Sequence, residues 1–225
     1  MPRPPAPRQL ALALPHLENF ARDDFLQGPS NAAALGLIDR WPDWPARVVA
    51  LTGPEGSGKS HLAAIWAEAA GARFLSGRAL AEAHPPTALA TDALVIEDLA
   101  AGQFEERALF HLLNLAGEHE AFMLITARSP PASWTLRLPD LSSRLRAVPV
   151  VELEPPDDAL LRAIVIKLFA DRQVPVDESL VAFLLTRLER SFAAARQAVI
   201  TLDREGLRLK RPVTRALAVE VLRGQ

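Results

Sequence analysis

The eight residues Gly53-Pro54-Glu55-Gly56-Ser57-Gly58-Lys59-Ser60 follow the pattern G-x-x-x-x-G-K-S, and no other stretch of the chain restricts its fold as tightly. An apolar run, Val48-Val49-Ala50-Leu51-Thr52, precedes them, and a helical pattern, Leu62-Ala63-Ala64-Ile65-Trp66, follows. Strand, loop and helix in that order are what such a loop needs. Glycines let the backbone curl until successive N–H groups point inward at phosphate oxygens. The helix that starts there adds its positive N-terminal end. In this arrangement Lys59 reaches the β- and γ-phosphates and Ser60 Oγ ligates Mg²⁺. A chance match in a glycine-containing turn would lack the flanking strand and helix. The motif therefore predicts a site for a nucleoside diphosphate or triphosphate, with ADP or ATP both open.

Composition sets the frame around that loop. With 225 residues, 49% of them hydrophobic, and a net charge of −2, the chain has the makings of a globular core rather than a disordered coil. A pI near 6.2 gives no global electrostatic reason to expect nucleic-acid binding. Cysteine is absent, which excludes disulfides and Cys-ligated metals and fits a reducing cytoplasm. Leu10 to Leu14 is too short an apolar stretch for a signal sequence or a membrane span. The expectation is a cytoplasmic protein with no membrane association.

Residues 1 to 8 hold four prolines and two arginines and read as part of a flexible N-terminal segment covering 1–18. Apolar runs then alternate with helical patterns: Val48–Thr52, a helix to Ala70, Arg73–Ser76, Ala93–Ile96, a helix around Glu105–Ala116, Phe122–Thr126 and Val148–Leu153. Five short strands separated by helices indicate an α/β fold with a five-stranded parallel sheet, in a nucleotide-binding unit spanning 19–154. After Glu154-Pro155-Pro156 the strands stop. Four helices are expected in 155–225, a small all-helical lid: roughly Asp157–Arg172, Asp177–Leu188, Ser191–Arg204 and Val213–Leu222. Asp157, Asp177 and Ser191 are suited to start three of them.

Ala93-Leu94-Val95-Ile96-Glu97-Asp98 is an apolar strand ending in two carboxylates. If that strand runs parallel to the one feeding the phosphate loop, Glu97 can hold Mg²⁺ through water while Asp98 polarises an attacking water. Alone the signal is weak, because apolar strands often end in acids. ATPases of this type place Asp first and Glu second. The reversed order here bears on hydrolysis more than on binding.

With these motifs in place, the chain resembles the AAA+ domain of the bacterial replication initiators of the DnaA family, and more closely the shortened regulatory homologues grouped as Hda. The resemblance runs over nearly the whole chain. Asn19-Phe20 and Phe25-Leu26-Gln27-Gly28-Pro29-Ser30-Asn31 are similar to the segment that wraps the adenine, which implies base contacts at Phe25, Leu26 and Asn31. Gly58-Lys59-Ser60-His61-Leu62 matches the family's phosphate loop and brings His61 into the cofactor site. Leu138-Pro139-Asp140-Leu141-Ser142-Ser143-Arg144-Leu145 resembles the arginine-finger box, which implies that Arg144 acts in trans on a neighbour's γ-phosphate; Arg137 and Arg146 are nearby alternatives. Such fingers are worth on the order of 10³ to 10⁵ in rate. Gln9-Leu10-Ala11-Leu12-Ala13-Leu14 resembles peptides that dock on the sliding clamp of DNA polymerase III, with Gln9 at the rim and Leu10, Leu12 and Leu14 in an apolar pocket. The competing reading of those residues is an ordinary alternating edge strand.

Two departures from the family pattern stand out. Thr126-Ala127-Arg128 puts an arginine where the first sensor carries an acid, and Ala193 occupies the place of the second sensor's arginine, with Arg196 one turn later on the same helical face. Both bear on how the chain would respond to ATP against ADP. The chain ends at Gln225 without the helix-turn-helix domain that follows the lid in DnaA, so specific DNA binding is not expected.

The resemblance implies a nucleotide-binding regulator of chromosome replication initiation. It would dock on the clamp and stimulate ATP hydrolysis by DnaA, with weak or no ATPase of its own and a homodimer as an open option. The alternative is a self-contained AAA+ ATPase such as a helicase loader. A P-loop small-molecule kinase fits the helical tail poorly. The five histidines show no metal-ligand spacing, and Trp41-Pro42-Asp43-Trp44-Pro45 reads as a packed turn before the first strand.

Overall fold

Five apolar runs become five strands of one sheet: β1 (Val48–Thr52), β2 (Arg73–Ser76), β3 (Ala93–Leu99), β4 (Phe122–Ala127) and β5 (Val150–Glu152), in the order β2-β3-β4-β1-β5. The computed structural model describes residues 20–82 and 84–222. Every strand pair is parallel. Helices cover both faces, which is why β1, β3 and β4 are near-continuous apolar runs rather than alternating ones.

The strand period of two divides the core. Val49, Leu51, Val95 and Leu124 face α1 (Ala32–Asp39) and α2 (Lys59–Ala70); Ala50, Leu94, Ile96, Met123 and Ile125 face a 3₁₀ turn (Gly77–Glu82), α4 (Glu106–Glu118) and α5 (Pro139–Arg146). A short α3 (Pro85–Ala88) links β2 to β3. The helix α2 ends at Gly71 in the left-handed conformation, φ 65°, with Ala72 N–H donating back to the Ala67 carbonyl oxygen at 2.9 Å.

Beyond Glu154 come α6 (Asp158–Asp171), α7 (Glu178–Leu185), α8 (Phe192–Leu209) and α9 (Arg215–Leu222). They share a core of their own around Leu161, Val165, Phe169, Leu180, Leu184, Val199 and Leu217. Asp157, Asp177 and Ser191 start α6, α7 and α8 as the sequence predicts, their side chains accepting from the N–H of Leu160, Leu180 and Ala194 at 2.7, 2.8 and 3.0 Å. The α/β architecture with its helical lid is as expected. The differences are local. β3 runs on to Leu99 and so takes Glu97 and Asp98 into the strand, β5 is shorter than expected, and α1, α3 and α5 are elements the alternation of apolar runs did not mark.

Trp41 and Trp44 form a packed turn before β1. The Trp44 ring lies 4.8 Å from that of Trp66, and its Nε1–H donates to the Leu37 carbonyl oxygen at 2.8 Å. His111 and His119 are exposed. Among the described residues no helix is long and apolar enough to cross a membrane. Gln9, Leu10, Leu12 and Leu14 lie outside the described residues.

Candidate functional site

The strand β1 delivers Gly53 to the C-terminal edge of the sheet, and the loop to Lys59 then turns back over that edge. Gly53, Gly56 and Gly58 have φ of 144°, 71° and 101°, a region side-chain-bearing residues seldom adopt. Space is closed there as well. A Cβ on Gly53 would sit 2.3 Å from the Leu153 carbonyl oxygen, and one on Gly56 would sit 2.8 Å from Ala193 Cβ. Gly53 and Gly56 are thus required twice over, by conformation and by contact.

Lys59, the first residue of α2, is buried and points into the loop. Its Nζ donates to the carbonyl oxygens of Gly53 and Pro54 at 2.9 and 2.7 Å and lies 3.4 Å from Ser57 Oγ. Burial lowers its pKa from the ordinary lysine value; Asp98 opposes that shift, Arg128 adds to it and Glu55 opposes it. Ser60 follows on the first turn of α2 with its side chain exposed. The inward ammonium, the helix N-terminus and the glycine-lined curve together fit a phosphate chain, for which Lys59 would exchange its two carbonyl partners. In that fit Ser60, with Glu97 or Asp98, would be the residues to serve a phosphate-bound Mg²⁺.

The acids come from β3. Its pairing with β4 shifts register between Ile96 and Leu99, and within that irregularity Asp98 takes φ 50°. Asp98 N–H donates to Thr126 Oγ1 at 3.0 Å, so the buried threonine at the end of β4 holds the bend in place. Glu97 is half-buried and Asp98 exposed. Of the two, it is Asp98 whose charge acts on Lys59.

Arg128 follows β4 directly, one residue past the Ala127–Thr52 register pair. Its Nη2 lies 2.5 Å from Oε2 of Glu55, in the middle of the phosphate loop.

Beside the loop a cleft of about 380 Å³ opens between residues 24–26, the start of α2, and the lid helices α6 and α8. Phe25, Leu26, Ile164, Leu168, Phe192 and Ile200 supply apolar wall; Asp24, His61, Lys167, Asp171, Arg172 and Arg196 supply the polar part. Phe25 and Phe192 approach Gly58, where an added Cβ would meet their rings at 3.5 and 3.6 Å. The cleft and the phosphate loop are therefore continuous. Phe192 N–H, the first of α8, donates to the Gly56 carbonyl oxygen at 2.9 Å and ties the lid to the loop.

Phe25 and Leu26 both line this cleft. His61 lines the cleft too, its ring meeting Phe20 and Phe25 edge-on and its Nε2–H donating to the Ala21 carbonyl oxygen at 3.2 Å. Asn31 is 1% exposed, and its amide closes its own loop. Gly28 N–H donates to Oδ1 at 2.9 Å, and Nδ2 donates to the Leu26 carbonyl oxygen at 3.0 Å. It positions Leu26 rather than lining the cleft. Lys167, unmarked in the sequence, bridges the cleft, donating to Asp24 at 2.7 Å and to Asp171 at 3.0 Å. Only the i,i+4 spacing of Lys167 and Asp171 could have drawn attention to it.

Arg144 is exposed on α5, with its guanidinium carbon 5.2 Å from the centroid of the Phe110 ring. Among the described residues it makes no hydrogen bond or ion pair with the phosphate loop of its own chain.

No family model matches the sequence. Solved structures share its fold. Domain III of the Thermotoga maritima replication initiation protein DnaA is 19% identical, with a TM-score of 0.76 over 91% of this chain and 96% of that one. The RuvB Holliday junction branch migration motor of the same organism is 18% identical, with a TM-score of 0.70 over 91% and 72%. AMPPCP-bound DnaA from Aquifex aeolicus is 16% identical, with a TM-score of 0.66 over 84% and 66%. The chain has the AAA+ fold of these proteins.

Proposed function

We propose that this chain is a cytoplasmic, nucleotide-binding AAA+ regulator of chromosome replication initiation. It binds ADP or ATP with Mg²⁺ at Lys59 and Ser60, docks on the polymerase III sliding clamp through Gln9, Leu10, Leu12 and Leu14, and stimulates ATP hydrolysis by DnaA. For nucleotide binding the support is the glycine-curved loop at the sheet's C-terminal edge, continuous with a cleft of suitable size. One of the DnaA structures of this fold is AMPPCP-bound, which agrees with that reading.

The observation that carries the regulatory half is the position of Arg144. Its guanidinium is exposed, rests on Phe110, and is on a helix that packs against α4. An arginine so placed is accessible to a phosphate chain held by another subunit. There it would offset the charge that develops as a γ-phosphoryl group leaves. Tethering on the clamp raises the local concentration of the two proteins, so a weak pairwise contact suffices.

A second reading, a self-contained ATPase, draws on Asp98, whose charge reaches Lys59. The deciding experiment measures ATP hydrolysis by DnaA with this protein, clamp and DNA, each omitted in turn. Stimulation that needs every component and is lost in Arg144→Ala is the expected result. Turnover by this chain alone, indifferent to clamp and DnaA, would establish the second reading instead.

A further inference from the structure

We propose that Glu106 and Phe110, on one face of α4, are positioning residues for Arg144. Glu106 fixes where α5 begins, and Phe110 holds the guanidinium ready for a partner's phosphate. The inference rests on the reading of Arg144 as an arginine finger acting on another subunit.

The start of α5 shows the need. Leu138 is its N-cap residue, with an apolar side chain that cannot accept from the first turn, and Pro139 follows at the first helical position. The place from which a glutamate would reach back to the cap N–H is taken by Leu141, which is fully buried in the core. Eight residues with such an entry make a marginal helix on their own.

The missing acceptor comes from α4. Leu138 N–H donates to Glu106 Oε2 at 2.8 Å, and Arg137 N–H is shared between both carboxylate oxygens at 3.0 Å. Across 32 residues of sequence, this half-buried carboxylate does for α5 what a capping glutamate does within a helix. Its charge also faces the positive end of α5.

Phe110 stands one turn further along α4, where the i,i+4 spacing puts it on the same face as Glu106. The Arg144 guanidinium carbon lies 5.2 Å from its ring centroid, within cation–π range. Leu141 and Leu145 hold α5 to the core while Arg144, between them in sequence, stays exposed. Thus α4 meets α5 at two points, the backbone N–H groups at its start and its finger.

An exposed arginine samples many rotamers and must give them up when it meets a phosphate. A ring contact narrows that choice beforehand and uses none of the guanidinium's N–H donors, all of which remain for the phosphate. The start of α5 sets where the finger reaches, and a misplacement of about 1 Å at such a group costs on the order of a hundredfold in rate.

The test is steady-state ATP hydrolysis by DnaA, titrated with the full chain in the presence of clamp and DNA. Glu106→Ala should lower the plateau rate by about ten- to a hundredfold, the range of a misplaced group. Phe110→Leu should lower it by about two- to fivefold, the range of an exposed cation–π contact. In both, the half-stimulating concentration should stay within about twofold of wild type. A mere loss of folded protein would do the reverse, raising that concentration and keeping the plateau. Glu106→Gln, which keeps an acceptor, and Phe110→Tyr, which keeps the ring, should restore the plateau to within about twofold. In the full chain alone, the Arg144 Nε–H resonance, assigned by its loss in Arg144→Lys, should carry a ring-current shift that Phe110→Leu and Glu106→Ala both remove. Wild-type plateaus in these two variants, where Arg144→Ala has lost stimulation, would overturn the positioning roles and leave the finger standing. So would an Arg144 resonance indifferent to Glu106. No stimulation by the wild type, or full stimulation by Arg144→Ala, would overturn the finger reading and the inference with it.

Discussion

Gly56 of the phosphate loop lies so close under Ala193 of α8 that a Cβ on Gly56 would sit 2.8 Å from Ala193 Cβ and 3.0 Å from its backbone nitrogen. With Phe192 N–H donating to the Gly56 carbonyl oxygen, the lid is seated directly on the loop.

Gly56→Ala should therefore cost stability through both φ 71° and the collision, about 1–3 kcal/mol in all, or several degrees in the thermal midpoint. Differential scanning calorimetry checks this. A Gly56→Ala protein with an unchanged midpoint would mean that the lid is not held by this contact.

Asn31→Ala should reveal that residue's structural role. Removing the amide leaves Gly28 N–H and the Leu26 carbonyl oxygen without their partner in a part-buried loop, which costs about 1–3 kcal/mol. Urea denaturation should show that loss, and nucleotide affinity should fall with it as Phe25 and Leu26 lose their fixed position. Lost affinity at unchanged stability would instead make Asn31 a direct ligand.

How much of this was legible beforehand depends on sequence distance. Gly53 to Ser60 could be read because the signal is contiguous and its backbone demand is met by one residue type. The caps at Asp157, Asp177 and Ser191 were legible for the same reason, each acting three residues ahead. The bend at Asp98 was not, because it is a register shift of β3 against β4 and depends on Thr126, 28 residues away. Lys167 and Asp24 are 143 residues apart, and no local pattern joins them. In the sequence Arg128 is only an arginine in place of an acid; its ion pair with Glu55 joins residues 73 apart and shows only in the folded chain.

The bridge from Lys167 to Asp24 ties the segment ahead of α1 to the lid helix α6, and both side chains are only 27% exposed. A double-mutant cycle with Asp24→Asn and Lys167→Gln should return a coupling of about 0.5–2 kcal/mol, above that of an open surface pair. The same changes should speed nucleotide release, since the bridge closes one side of the cleft. Stopped-flow measurement with a fluorescent nucleotide checks this. Zero coupling with unchanged release would mean that the bridge holds nothing shut.

His61 gives the molecule a pH dependence whose sign follows from its surroundings. Burial lowers its pKa below the usual imidazole value of 6.5, with the Ala21 carbonyl and Asp24 opposing and Arg196 and Lys167 adding to the shift. In the unfolded chain the ring takes up its proton near 6.5, whereas in the folded chain it does so only at lower pH. Stability contributed by the neutral ring is therefore present above that value and declines as pH falls below it. The thermal midpoint of the wild type should drop between about pH 8 and about pH 5 by more than that of His61→Gln, which keeps a donor for Ala21 but cannot titrate. The extra drop should disappear in the variant while the slopes above pH about 7 coincide. Parallel curves over the whole range would show that the ring sheds no strain on protonation and that its contacts with Phe20 and Phe25 survive the charge.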